Sequence, residues 1–125
     1  MAYKNEAHSN SEIAGATIND YRFVKVGAAA GAVIQAAAAT DIGCGAVEYG
    51  AASGAPVKVI TGGIAKILVG VGGVTLGARV TSDATGQAVA WATTNQSYGI
   101  AKETGAAGAI VTIQLGPFPT NATVV

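Results

Sequence analysis

One glycine frame occurs twice in this chain, and it leaves little room for anything but short strands. Gly45-AVEY-Gly50-AAS-Gly54-APVKVIT-Gly62 can be written above Gly99-IAKET-Gly105-AA-Gly108-AIVTIQL-Gly116, and in both the first and last glycine are 17 positions apart. Both hold Gly-Ala-Ala, then Gly-Ala-x-Val-x-(Val/Ile). Upstream, Gly31 falls on Gly86, which lays Phe23–Gln35 over Ala78–Ala90, so an offset of 54 to 55 residues holds across five glycine positions. A glycine inside a helix costs about 1 kcal/mol relative to alanine. Beyond Gly27 the longest glycine-free stretch within this frame is Gln87–Tyr98. Long helices are therefore excluded, and a fixed offset of this length marks two copies of one unit.

The sequence between the glycines has strand texture. Tyr21-Arg-Phe-Val-Lys-Val26 is rich in strand formers, and Val57-Lys-Val, Ile64-Ala-Lys-Ile and Ile110-Val-Thr-Ile-Gln-Leu alternate. The run Ala36–Ala39 has helical propensity but is short and boxed in by Gly31 and Gly43. Two hairpin repeats, about 19–62 and 76–116, joined by Gly63–Gly77, predict an all-β fold: a small closed β-barrel or β-tulip spanning 19–116. Closure removes free strand edges, a need that grows in a neutral, apolar chain. The abundant Ala and Gly then suit a narrow barrel whose backbones pass closely. Residues 1–18 are polar, with little apolar spacing, and read as an extended N-terminal arm; 117–125, after Gly116-Pro-Phe-Pro, reads as a tail that leaves the sheet.

Composition narrows the function classes. Charged residues are 11% of the 125, against about 25% in ordinary globular proteins, which favours a protein that buries part of its outside against partners. Lys+Arg and Asp+Glu are equal at 7 each, so no basic stripe points to nucleic acid. No stretch reads as a membrane helix or a signal peptide, and the chain is expected to be made and used in a cytoplasm or in a particle assembled there. Cys44 is the single cysteine and reads as a small buried hydrophobe. Gly43-Cys-Gly45 and Gly70-Val-Gly72-Gly73 lack the spacing of a dinucleotide loop, and Gly45-AVEY-Gly50 lacks the following Lys and hydroxyl of a phosphate loop. The one histidine, His8, sits in the polar arm without a second metal ligand nearby. Asp41, Glu48 and Asp83 form no close pair in sequence. No cofactor, no metal and no enzymatic activity are expected.

The stretch Val80-TSDATGQAVA-Trp91 is the most polar-looking turn. Ser82-Asp-Ala-Thr-Gly86 has the composition of a type I turn closed by a left-handed glycine, with the Asp83 carboxylate bonding backbone N–H groups. It lacks the several acidic oxygens a calcium site needs. Trp91 has two readings, a core plug or an interface anchor. Phe118, between two prolines, is an interface candidate, as are Tyr3, Asn5, His8 and Ile13 of the arm. The polar loop Ala92–Tyr98 beside Trp91 is the one platform that would suit a sugar, which keeps open an alternative: a glycan- or receptor-binding β module of a phage tail or cell surface.

Leu76-GARVTSDATGQA, Gly99-Ile-Ala and Gly105-Ala-Ala-Gly108-x-x-Val, with Tyr21-Arg-Phe-Val-Lys-Val, Ile42-Gly and Ala52-Ser-Gly-Ala-Pro-Val in the first repeat, resemble the small capsid decoration (cement, or head-fibre-like) proteins of tailed bacteriophages. The resemblance spans about Ile18 to Leu115 and leaves out the arm and the tail. It implies a β-barrel or β-tulip on the outside of a mature capsid, a structural virion protein synthesised in the host cytoplasm. It further implies two partners, the major capsid protein and the chain itself as a homotrimer, and adhesion at subunit junctions that stabilises the head.

Overall fold

The computed structural model describes residues 8–115. Among them there is no helix. The described residues form nine strands in one sheet: β1 (His8–Ala14), β2 (Arg22–Val26), β3 (Ala32–Gln35), β4 (Gly43–Val47), β5 (Pro56–Leu68), β6 (Arg79–Ser82), β7 (Ala88–Ala90), β8 (Gly99–Ala101) and β9 (Ile110–Leu115). The all-β expectation holds, and so does closure. The first five strands run β1-β3-β2-β4-β5, and β5 returns to pair with β1, which completes a five-stranded barrel. β1 and β3 are parallel and the other neighbours antiparallel.

β5 is long because it serves two rings. Its first half, from Pro56 to Gly62, pairs with β1; its second half, Gly63 to Leu68, pairs with β9. From β9 the order continues through β8 and β6 to β7. β7 comes back to the end of β5 through the parallel bridge Val69↔Ala88. The Gly70 N–H then donates to Ala88 O at 2.8 Å; in the first ring the Gly15 N–H donates to Val33 O at the same 2.8 Å. Each bond lies 55 residues from the other.

Many hydrogen bonds recur in both copies, but the pairing shifts the match by one residue in β2 and β6: Val24 is opposite Gly45 and Val80 opposite Gly99, so Phe23 falls on Arg79 and not on Ala78 as the sequence alignment had it. Ile18 and Ala51 exchange both backbone bonds, and so do Val74 and Gly105. Gly54 donates to Ala14 O and Gly108 to Val69 O. The glycines that the alignment matched as Gly31 and Gly86 have φ of 79° and 78°, a left-handed conformation that only a residue without a Cβ adopts cheaply.

The repeat boundaries differ from the expected ones, and the cause is visible. Residues 63–68, expected as a connection, are a barrel stave, and their counterpart is β1 within the expected arm. β1 lies extended between β3 and β5. Its sequence, HSNSEIA, hid it: Ser9, Asn10 and Ser11 face solvent, and from Ser9 onward Ala14 alone is in the core. Backbone pairing on both sides secures β1; side-chain burial does not. The counterpart residues Ala65, Ile67 and Val69 are all buried, so the same stave was legible as a strand in the second copy.

Two apolar clusters follow the two rings. Ala14, Ile18, Val24, Val33, Val47, Val57 and Val59 fill the first. Val69, Val74, Val80, Ala88, Ala101, Val111 and Ile113 hold the equivalent places in the second, in a cluster that also takes in Phe23, Ala36, Ala46 and Ile60 from the outside of the first ring. The first ring is therefore joined to the second by one of its outer faces. Tyr98 sits at that junction, fully buried, its ring centroid 4.8 Å from that of Phe23. Its hydroxyl donates to Asp41 O at 2.6 Å. A Cβ on Gly43 would run into the Tyr98 ring, so this glycine is required by close approach.

Candidate functional site: the outer face around Trp91

The Asp83 turn is held by the aspartate's own hydrogen bonds. Asp83 Oδ1 accepts the N–H of Thr85 at 2.9 Å, the N–H of Gln87 at 2.9 Å and the Thr85 hydroxyl at 3.1 Å. Asp83 N–H donates to Gln87 O at 3.0 Å, and Gly86 then reverses the chain between β6 and β7. The carboxylate oxygen is committed to backbone donors, as a turn aspartate is. The matching turn in the first copy closes with Gly27 N–H to Ala32 O at 2.8 Å and has no acidic residue. That turn is one residue longer, with four residues between its bonded pair against three at Asp83, so the two turns differ in length as well as in the carboxylate.

Trp91 follows β7; it is half-buried on an outer face and belongs to neither apolar cluster, so it is not a core plug. Its indole N–H donates to Asn95 O at 2.9 Å. The Arg79 guanidinium carbon lies 5.2 Å from the ring centroid, a cation–π contact worth about 0.5–1 kcal/mol at an exposed site. The pair is the end of a row. Arg79 is opposite Ile100, Ile100 is opposite Gln114, and Gln114 is opposite Ile64. Directly opposed residues share one face of a sheet. Ile64, Gln114, Ile100 and Arg79 are all exposed on that face, so a band of two isoleucines, a tryptophan and its arginine crosses four strands.

The other sequence candidates do not join it. Ile13 is exposed on β1, opposite Ala32 and Pro56, in the first ring. His8 begins β1 opposite Gly62, and only its backbone is described. Tyr3, Asn5 and Phe118 lie outside the described residues. The loop Ala92–Tyr98 does not present its tyrosine for stacking, because Tyr98 is the buried ring at the junction. Sequence reasoning missed this role of Tyr98. The available signal was the repeat itself: in the first copy the equivalent place holds Gly43-Cys44, and an aromatic replacing two small residues marks asymmetric packing.

Titratable groups are spread out and structurally occupied. Burial alone would raise the Asp41 carboxyl, but the Lys25 ammonium at 2.8 Å and the Ala37 N–H at 2.9 Å hold it below its usual value. Burial, helped by the Glu12 carboxylate, pushes the Cys44 thiol up, which favours its protonated form. Burial also pushes the Tyr98 phenol up. A groove of about 230 Å³ is lined by Glu48, Tyr49, Gly50, Pro56, Val57, Lys58 and Ile60. Glu48 Oε2 in that groove accepts the Lys66 N–H at 3.0 Å. Among the described residues no three His, Cys, Asp or Glu side chains converge to hold a metal ion.

No family model matches this sequence, and no curated protein does. The fold is similar to a crystal structure, that of the head fiber gp8.5 N base in bacteriophage phi29, with a TM-score of 0.70 at 19% sequence identity, covering 94% of this chain and 100% of that one. At that identity the likeness establishes a shared fold, which runs nearly from end to end of both chains.

Proposed function

We propose that this chain is a structural protein of a bacteriophage head that binds the outside of the capsid at subunit junctions and stabilises the mature shell. The observation that carries the reading is the end-to-end fold likeness to the base domain of a phage head fibre. The charge-poor composition and the exposed isoleucines Ile64 and Ile100 in the row that ends at Arg79 and Trp91 support it. The mechanism is adhesion. A protein that binds the assembled lattice and not its loose subunits stabilises the lattice by mass action, and several linked copies acting together gain by avidity. In this reading the protein carries out no chemistry, its partners are the major capsid protein and further copies of itself, and its place is the capsid exterior.

The arm needs a test that respects β1. Deleting residues through 15 would remove a barrel stave, so loss of binding would report only loss of the fold. Removing residues 2–7 alone spares β1. The full chain and this truncation are mixed with expanded capsid shells lacking the protein, purified from the phage that carries the gene, and then sedimented. The full chain is expected to co-sediment saturably and to raise the shells' melting temperature. Absence of co-sedimentation would overturn the capsid reading; unchanged binding of the truncation would overturn a role for the arm.

A further inference from the structure

The duplication pairs the strand positions of one copy with positions in the other, and two surfaces come out differently. The first is the Trp91 band. Ile64–Gln114–Ile100–Arg79–Trp91 corresponds, link by link, to Ser9–Ile60–Ala46–Phe23–Ala36, through the pairings Ser9↔Ile60, Ala46↔Ile60 and Phe23↔Ala46 and the Ala36 N–H bond to Phe23 O. In the first copy Ile60, Ala46, Phe23 and Ala36 are buried in the cluster that holds Tyr98. In the second copy Ile64 and Ile100 are 39% and 41% exposed, with Arg79 exposed between Ile100 and the half-buried Trp91.

The second surface is the one that receives this row inside the chain. Thr81, Ser82, Gly86 and Tyr98 are buried there. The Thr81 hydroxyl donates to Ala39 O, Phe23 N–H donates to Gly86 O, and the Tyr98 hydroxyl donates to Asp41 O. The counterparts of Ser82 and Gly86 in the first copy are Val26 and Gly31, both open to solvent; those of Thr81 and Tyr98 are Lys25, half-buried and paired with Asp41 at 2.8 Å, and Cys44, half-buried two residues from the exposed Ile42. Val26 is 66% exposed and Ile42 72%. One contact, the row of the first copy on the socket of the second, is thus made within the chain. It leaves over one row and one socket.

We propose that the row Ile64, Ile100, Arg79 and Trp91 of one chain docks on the socket around Val26, Gly31 and Ile42 of a second copy of this chain, repeating between chains the contact that joins the repeats within it. The two surfaces differ, so the interface is heterologous, and copies linked head to tail close into a ring of subunits when the rotation permits. Trp and Arg are the side chains that carry most energy at such interfaces, and Arg79 already held over Trp91 reduces the ordering cost on docking. This gives the self-association proposed above its surface and rests on that part of the reading.

The test uses the full-length chain in sedimentation velocity over a concentration series. Wild type is expected to form oligomers. Ile100→Glu and Ile42→Glu, each with an unchanged circular dichroism spectrum, are expected to sediment as monomers. Mixed one to one they are expected to pair, because the first keeps its socket and the second keeps its row. Tyr49→Ser, outside both surfaces, is expected to associate as wild type does. A monomeric wild type, an Ile100→Glu chain that assembles normally, or failure of the two monomeric variants to pair would each overturn the proposal. Binding to capsid shells, measured in parallel, separates the two ideas: oligomers that ignore shells defeat the capsid reading alone, and shell-binding wild-type monomers defeat this one alone.

Discussion

The first ring closes around Val24, Val33, Val47, Val57 and Val59; the second closes, position for position, around Val80, Ala88, Ala101, Val111 and Ile113. The strand pairing is alike and the matched turn glycines Gly31/Gly86 and Gly54/Gly108 share positive φ, whereas Gly72 and Gly73 have positive φ where the first copy has Ala16 and Thr17 without it. The side-chain volumes are redistributed, with two smaller residues at Ala88 and Ala101 and one larger at Ile113. The greatest difference lies at the junction, where Tyr98 stands in the place of Gly43-Cys44 and the glycine makes room for the tyrosine. A duplicated frame fixed by glycines and backbone pairing can thus carry two different packings, and the asymmetry is what lets one copy cover the other.

The comparison breaks first at Tyr98. Truncating a fully buried aromatic side chain costs about 3–5 kcal/mol, so Tyr98→Ala should lower the urea midpoint sharply, whereas Tyr98→Phe keeps the stack on Phe23 and loses only the hydroxyl bond, about 1 kcal/mol. Equal losses for the two variants would mean that the ring packing does not hold the copies together.

Gly31 and Gly86 sharpen it. Both have positive φ, so an alanine at either is strained by about 1–2 kcal/mol. A Cβ on Gly31 meets nothing within 4 Å, whereas one on Gly86 meets Gln35 and the Phe23 carbonyl at 3.0 Å. Gly86→Ala should therefore destabilise more than Gly31→Ala in thermal melts, and the difference measures the contact between copies. Identical melting temperatures would place the junction elsewhere.

The smallest effect is at Asp41, whose Lys25 partner in the first copy corresponds to Thr81 in the second. Its carboxyl is held below the unfolded value of 3.8. Between the folded and unfolded values the unfolded chain binds more protons, so this contribution is complete above 3.8 and drains as pH falls through the folded value. Wild type should lose stability more steeply than Asp41→Asn when urea midpoints are followed from pH 5 down to pH 2. Parallel slopes would show that the pair contributes nothing, as many part-exposed ion pairs do.

Much of the frame was legible in the sequence because glycine leaves a positional record. Four of the matched glycine pairs, Gly31/Gly86, Gly45/Gly99, Gly50/Gly105 and Gly54/Gly108, fall at turns or close approaches in both copies, and Val57-Lys-Val and Ile110-Val-Thr-Ile alternate as strands do. β1 was not legible as a stave, because Ser9, Asn10 and Ser11 face water and leave no apolar alternation to read. The Asp83 turn was read correctly from composition, since an aspartate and a left-handed glycine act on their own neighbours. The surface that Trp91 faces was open until the pairing of β6, β8 and β9 placed Arg79, Ile100 and Gln114 on one side of the sheet beside it.

The sequence by itself determined the duplication, the absence of room for long helices and the turns, because these depend on contacts within a few residues or on a repeated spacing. The tertiary structure decided which copy covers which, that Tyr98 is buried and Trp91 is not, and that β5 continues from one ring into the other. Those outcomes depend on contacts between residues far apart in the chain, such as Tyr98 with Gly43 and Phe23, and local composition is blind to them.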